Sequence, residues 1–329
     1  MSSKLSTVKN FVASYWLLIF IVLLVVIGFL SNLSLSDLLT TLLTLQAWQL
    51  ALLVLVFFLA AGVHISSRKY LLYALGARTG WNHLSKIHFA SMAAHYSTPV
   101  KIGIPIAIYL FKKIENIPYS TSTAMILMEI AIATSLCGLI ALIGIPAILD
   151  VSFEQAIFYI ILLSFGGIAV IWVLGYFYRS SNKRFALVDY IFNTFDAIRK
   201  ISIASLISYL SLSLILRVVD GLNLFLLCLF FAEDLTLWQA VITTSTAFFI
   251  GTISMVPMGL GTRDISLLLL LQNYGVSGEA TLIIVSLQRV LTTGLSFALG
   301  IYCGSVLGMK NINIDETSSQ DNQSHKNQG

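Results

Sequence analysis

Six apolar runs of about 20 residues or more dominate the chain, at 11 to 30, 47 to 65, 121 to 149, 155 to 178, 203 to 231 and 280 to 308. At 1.5 Å of helical rise per residue, each is long enough to cross roughly 30 Å of hydrocarbon. With 57% hydrophobic and 10% charged residues and a mean hydropathy of +0.90, the 329-residue chain lies far from the composition of soluble domains. The expected fold is therefore an all-α polytopic membrane protein. The longest polar stretches, 179 to 200 and the tail from 311, are too short to bury a core of their own, which argues against a soluble catalytic domain. Lys4 and Lys9 precede the first run, which exceeds the roughly 7 to 15 residues of a signal-peptide core and lacks a small-x-small cleavage site, so it reads as a retained helix.

Two further apolar segments, 86 to 111 and 238 to 273, are interrupted by Pro and Gly. The breaks read Pro99-Val-Lys101-Ile-Gly103 and Pro257-Met-Gly259-Leu-Gly261, the second followed by Arg263 and Asp264. Lipid cannot satisfy bare peptide groups, so a broken backbone at membrane depth must be buried in protein or line a wet cavity. Proline and glycine free backbone groups there and allow a ligand to approach closely, while Arg263 supplies a cation suited to phosphate or carboxylate. Both segments are expected to be re-entrant hairpins. For the second, 238 to 256 is also long enough to span, with 265 to 273 returning as a half-helix.

Charge placement gives these segments a direction. With a cytoplasmic N-terminus, the cations between the membrane runs, from Lys4 and Lys9 through Arg68, Lys69, Lys112, Lys113 and Arg179 to Lys310, fall on the inside. The outer connections carry only Asp37, Asp150, Glu154, Glu233, Asp234 and Glu279. Both termini are then cytoplasmic. Residues 1 to 150 and 151 to 310 each read helix, helix, broken hairpin, helix, in opposite senses, which is the pattern of an inverted repeat of membrane domains. Residues 311 to 329 read as a disordered cytoplasmic tail. The segment 66 to 86 mixes cations, aromatics and leucines and is expected along the cytoplasmic interface.

Seven charged residues fall at expected membrane depth: Lys101, Glu129, Arg217, Asp220, Arg263, Asp264 and Arg289. Each costs at least ~2.5 kcal/mol at a helix centre, so they should face one another or an aqueous cavity. Arg217 and Asp220 are three residues apart and can pair on one helix face. Glu129 has no local partner and needs a cation from another element, with Lys101 and Arg289 as candidates. Four cations against three anions leave a surplus that suits an anionic group, and the natural anion of a bilayer is a lipid phosphate. His83, His88 and His95 lack further ligands at metal-binding spacing and read as polar lining. Cys137, Cys228 and Cys303 stand singly in apolar runs as small core residues. Neither a metal, a cofactor nor nucleic acid is indicated.

The segment Pro257-Met-Gly259-Leu-Gly261-Thr-Arg263-Asp264, then Gly275-Val-Ser277, Gln288-Arg289 and a Gly-rich end at Gly300 and Gly304, resembles the lysylphosphatidylglycerol synthase transmembrane-region family, a flippase-like group. Pro99-Val-Lys101-Ile-Gly103 is similar to that family's earlier break, and Arg68 and Lys69 before an aromatic-leucine stretch also fit. Met258 and Val100 stand where the family has glycine, Lys101 where it has Arg, and Asp264 where it has Glu. The resemblance implies movement of an anionic lipid or a polyprenyl-phosphate-linked saccharide between leaflets of the plasma membrane. On that reading Lys101, Arg217, Arg263 and Arg289 bind the headgroup, and Glu129, Asp220 and Asp264 balance charge or carry protons. An integral-membrane lipid- or glycan-modifying transferase and an accessory subunit of an envelope-glycan pathway are the alternatives, and no catalytic motif is visible.

Overall fold

The computed structural model describes residues 45–97, 103–149, 194, 196–199, 201–254, 259 and 261–308. The regular elements within them are all helical: α1 (Ala47–Ala74), α2 (Trp81–Ser97), α3 (Gly103–Glu115), α4 (Tyr119–Leu149), α5 (Ile203–Phe230), α6 (Leu237–Ile253), α7 (Thr262–Asn273) and α8 (Gly278–Arg289). The last runs through a π turn, Val290–Gly294, into one apolar helix that reaches Gly308. Four of these helices are long and apolar enough to cross a membrane: Ala47–Ala74, Tyr119–Pro146, Ile203–Phe230 and Gly278–Gly308. The chain is thus a multi-pass, all-helical membrane protein by helix length and composition. The expected spans at 11 to 30 and 155 to 178, the tail from 311, and Pro99, Lys101 and Pro257 of the breaks lie outside the described residues.

Residues 66 to 74 do not lie along an interface as a separate segment but continue α1. No Gly or Pro interrupts the chain from Val63 to Leu75, so nothing in the sequence stops the helix. It ends at Gly76, whose φ of +81° allows Gly76 N–H to reach Tyr73 O (3.0 Å) and Ala77 N–H to reach Leu72 O (2.9 Å). Those two bonds satisfy carbonyls that the last turn would otherwise leave bare. The extension matters because it carries Arg68 into the bundle.

Trp48 at the start of α1 packs edge-on against Phe230 at the end of α5, with ring centroids 5.5 Å apart. Exposed Tyr73 lies 25 residues further along α1, about 37 Å at helical rise, so the two aromatics are spaced for the two interfaces of one bilayer. Between them Leu55, Phe58 and Leu59 are exposed, the lipid-facing side of the helix. By comparison α6, at 17 residues, is about 25 Å long, and α7, at 12, about 18 Å.

Lipid tails are as apolar as leucine, so helices in a bilayer associate through close packing of small residues. Gly138 and Gly144 of α4 face Phe249 and Thr246 of α6, and Gly221 of α5 faces the backbone of Val241 on α6. In the same way Gly300, beyond the π turn, lies against Phe89 and Ala93 of α2. A Cβ at Gly221 would meet Val241 Cα at 2.8 Å and its N at 2.9 Å, backbone atoms that can yield only if the helices part. Gly221→Ala is expected to lower stability by about 1–3 kcal/mol through overpacking, whereas Gly62→Ala, with nothing within 4 Å, should be neutral or stabilising. Thermal unfolding of the two variants in the same detergent checks this.

Candidate functional site

His64 and Arg68 are one helical turn apart on α1 and so share a face. Glu129 of α4 meets that face. Arg68 Nε donates to Glu129 Oε2 (2.8 Å) and Arg68 Nη2 to Oε1 (2.9 Å), a two-point fork that fixes both groups in one plane. The third nitrogen, Nη1, lies 3.0 Å from His88 Nδ1 on α2. His64 Nε2 lies 2.7 Å from Glu129 Oε1, and the His64 and His88 rings stack edge to face at 4.9 Å. One guanidinium therefore ties three helices together.

This cluster forms part of the wall of a cavity of about 260 Å³. Ser91 and His95 of α2, Gly103 and Ala107 of α3, Thr134 of α4, Thr252 and Phe248 of α6, and Gly259 and Arg263 complete most of its lining. The flanks of both Pro-Gly breaks thus border one space. Gly103 is needed there because a Cβ would lie 2.5 Å from Ser91 O and 2.7 Å from His95 N, so no side chain fits between α2 and α3. Gly259 has φ +60° and packs on Gly251 and on the stem of Arg263, which is how the turn holds Arg263 against the cavity. With the histidines neutral, the described lining residues carry a formal charge of +1: Arg68 and Arg263 against Glu129. At about 260 Å³ the cavity falls just below the ~300–1,000 Å³ of sites that enclose drug-sized ligands.

The other expected site residues are arranged around this space in pairs. Asp264, in the first turn of α7, accepts from Arg289 Nε (2.8 Å) and Nη2 (2.8 Å), again a two-point fork, and from the N–H of Gly261, which precedes the helix (3.3 Å). Arg217 pairs locally with Asp220 (Nη1 to Oδ2, 3.2 Å) and lies 4.9 Å above the ring of Phe248. Arg217 itself does not line the cavity; Phe248 does. The cation that meets Glu129 is Arg68, with His64, and not Arg289, which is held by Asp264. Lys101 lies outside the described residues. Of the histidines read as lining, His95 borders the cavity, His88 receives Arg68, and His83 binds Glu115 (Nδ1 to Oε1, 2.7 Å).

The sequence places Arg68 among the cytoplasmic cations and gives His64 no role, so neither is expected in the site. The available signal was their i, i+4 spacing inside an uninterrupted helical stretch. Against this geometry, the family described as Lysylphosphatidylglycerol synthase TM region matches the chain over residues 15–300. No curated protein matches it.

Removing one member of a buried, fully hydrogen-bonded ion pair strands the other, at a cost of about 3–5 kcal/mol, while removing both relieves the penalty. Arg68→Met and Glu129→Leu should each destabilise strongly, and the double variant should lose less than the sum of the two. A double-mutant cycle from thermal unfolding is expected to give a coupling of about 1–3 kcal/mol; additive losses would mean the pair does not act as a unit.

Proposed function

Since the chain belongs to the lysylphosphatidylglycerol synthase TM region family, we propose that it moves an anionic lipid, a phospholipid or a polyprenyl-phosphate-linked saccharide, between leaflets of the plasma membrane. The observation that carries this is the shared cavity. The flanks of two interrupted apolar segments, Gly103 on one and Gly259 on the other, border a space that also holds Arg68 and Arg263. In that space the headgroup phosphate meets two guanidiniums, and Glu129 keeps the site from being so positive that release becomes slow. Arg is suited to this because its planar fork matches phosphate oxygens at two points and it does not deprotonate. Asp264 and Asp220 act as charge balancers in this scheme, each engaged by an arginine.

Alternating access through an inverted repeat extends the reading. The α2–α3 pair begins and ends where α1 finishes and α4 starts, and His83 to Glu115 ties its two ends together. The α6–α7 pair begins and ends where α5 finishes and α8 starts, and the Ser277 hydroxyl donates to Glu233 there (2.6 Å). Two hairpins entering from opposite ends of the bundle fit that arrangement, and in it each can open the cavity to one side. Lys69, Arg78, Lys112 and Lys113 cluster at the first end, and Glu233, Asp234 and Glu279 at the second, which favours a cytoplasmic first end.

The test is leaflet exchange of fluorescent phosphatidylglycerol in proteoliposomes, followed by quenching from outside. The wild-type protein should accelerate exchange over protein-free liposomes, and Arg263→Ala should slow it at least tenfold, about 1.4 kcal/mol in the barrier, with the fold retained. Wild-type rates in Arg263→Ala, or no acceleration by the wild type with any anionic lipid, would overturn the proposal.

A further inference from the structure

The hydrogen bonds around Arg68 assign protons. An arginine has only donors, so His88 Nδ1, 3.0 Å from Arg68 Nη1, must accept, and His88 is held neutral with its proton on Nε2. Protonating His88 would set N–H against N–H. Glu129 receives two guanidinium donors on its two oxygens and is therefore a carboxylate. A carboxylate only accepts, so His64 Nε2, 2.7 Å from Glu129 Oε1, carries a hydrogen. The remaining nitrogen of His64, Nδ1, is left to gain or lose a proton without breaking that bond. The His64 side chain lines the cavity and is 24% exposed, within reach of water there.

We infer that His64 is a proton-binding site linked to anion binding in this cavity, so that each headgroup bound draws a proton onto His64. This rests on the anion-binding reading above and adds to it the coupling ion. Among the described residues, the ionisable groups facing His64 are Arg68 on its own helix, His88 and His95 on α2, Glu129 on α4, Arg263 on α7, and Tyr209 of α5 near Arg68 and Glu129. The arginines stay charged, the phenol stays protonated below pH 8, His88 is fixed by Arg68, and Glu129 is fixed by its fork. Imidazole is the side chain whose charge changes at physiological pH, and His64 and His95 are the imidazoles that remain. Of these, His64 bonds directly to Glu129 of the Arg68–Glu129 pair. Protonation of His64 raises the formal charge of the described lining residues from +1 to +2 and so strengthens their hold on an anion. Linkage requires the reverse as well: a bound anion raises the affinity of His64 for its proton.

The experiment measures binding of dihexanoyl phosphatidylglycerol to the detergent-solubilised full chain by titration calorimetry at pH 5.5 and pH 8.0. Its phosphodiester is monoanionic across that range, so any pH dependence belongs to the protein. Wild type should bind at least about fivefold more tightly at pH 5.5. His64→Gln, which keeps an N–H donor for Glu129 and cannot titrate, should bind with affinities at the two pH values that agree within twofold. His95→Gln should keep the wild-type dependence. Should His64→Gln fail to fold, the wild type decides alone: binding near pH 6.5 in two buffers of different ionisation heat should show net proton uptake. Equal wild-type affinities at the two pH values, dependence surviving in His64→Gln or lost in His95→Gln, or zero proton uptake each overturns the inference. pH-linked binding without leaflet exchange would instead leave the inference standing and sink the translocation reading.

Discussion

A single guanidinium organises the interior. Arg68 uses Nε and Nη2 on Glu129 and Nη1 on His88, and in doing so joins α1 to α4 and α2 at one point. In a bilayer, where greasy side chains gain little by leaving lipid for protein, such directional bonds and close small-residue contacts decide which helices become neighbours. Ile65, Leu72, Leu84, Phe111 and Met125, from the same helices and from α3, form one buried apolar cluster. A second apolar cluster, of Leu53, Leu227, Leu271 and Leu287, holds the other end of the bundle. The cavity is adjacent to the first and shares Ala107 and Ile126 with it, so a few polar groups stand in a largely apolar wall.

Buried charge in this protein is paired by geometry and not merely by proximity. Arg68 with Glu129 and Arg289 with Asp264 are both two-point forks across different helices: the first joins two long helices, α1 and α4, and the second fixes α7, beside a break, to the long last helix. Arg217 with Asp220 is a looser contact within one helix at 3.2 Å, and it stacks on Phe248 instead of reaching the cavity. The three pairs therefore have different jobs. Two set the positions of helices, while the third keeps a cation beside an aromatic wall that the cavity shares.

Much of the helical layout was legible from run length. The expected spans at 121 to 149, 203 to 231 and 280 to 308 differ from α4, α5 and Gly278–Gly308 by only a residue or two at their ends, because long apolar stretches leave a chain in lipid no other way to satisfy its backbone. The end of α1 was not, since Ser66-Ser67-Arg68-Lys69 looks like an exit from the membrane when hydropathy is read residue by residue. Arg217 and Asp220 could be paired on paper because three residues bring them together on any helix. The partner of Glu129 could not: Arg68 is 61 residues away, and no periodicity encodes how α1 docks on α4. Pro and Gly mark where the apolar segments break, but that Gly103 and Gly259 border the same space depends on the docking of two helix pairs, which lies beyond local pattern.

The π turn at Val290–Gly294 has a geometric consequence for the last helix. Fitting one extra residue into a turn advances everything beyond it by about 100° around the screw axis. Before the turn, α8 aims Arg289 at Asp264; after it, the same rod aims Gly300 at Phe89 and Ala93. Deleting that one residue would rotate the far half by more than a quarter of a circle and carry the glycine off α2. A local winding defect thus lets one continuous helix address two unrelated neighbours.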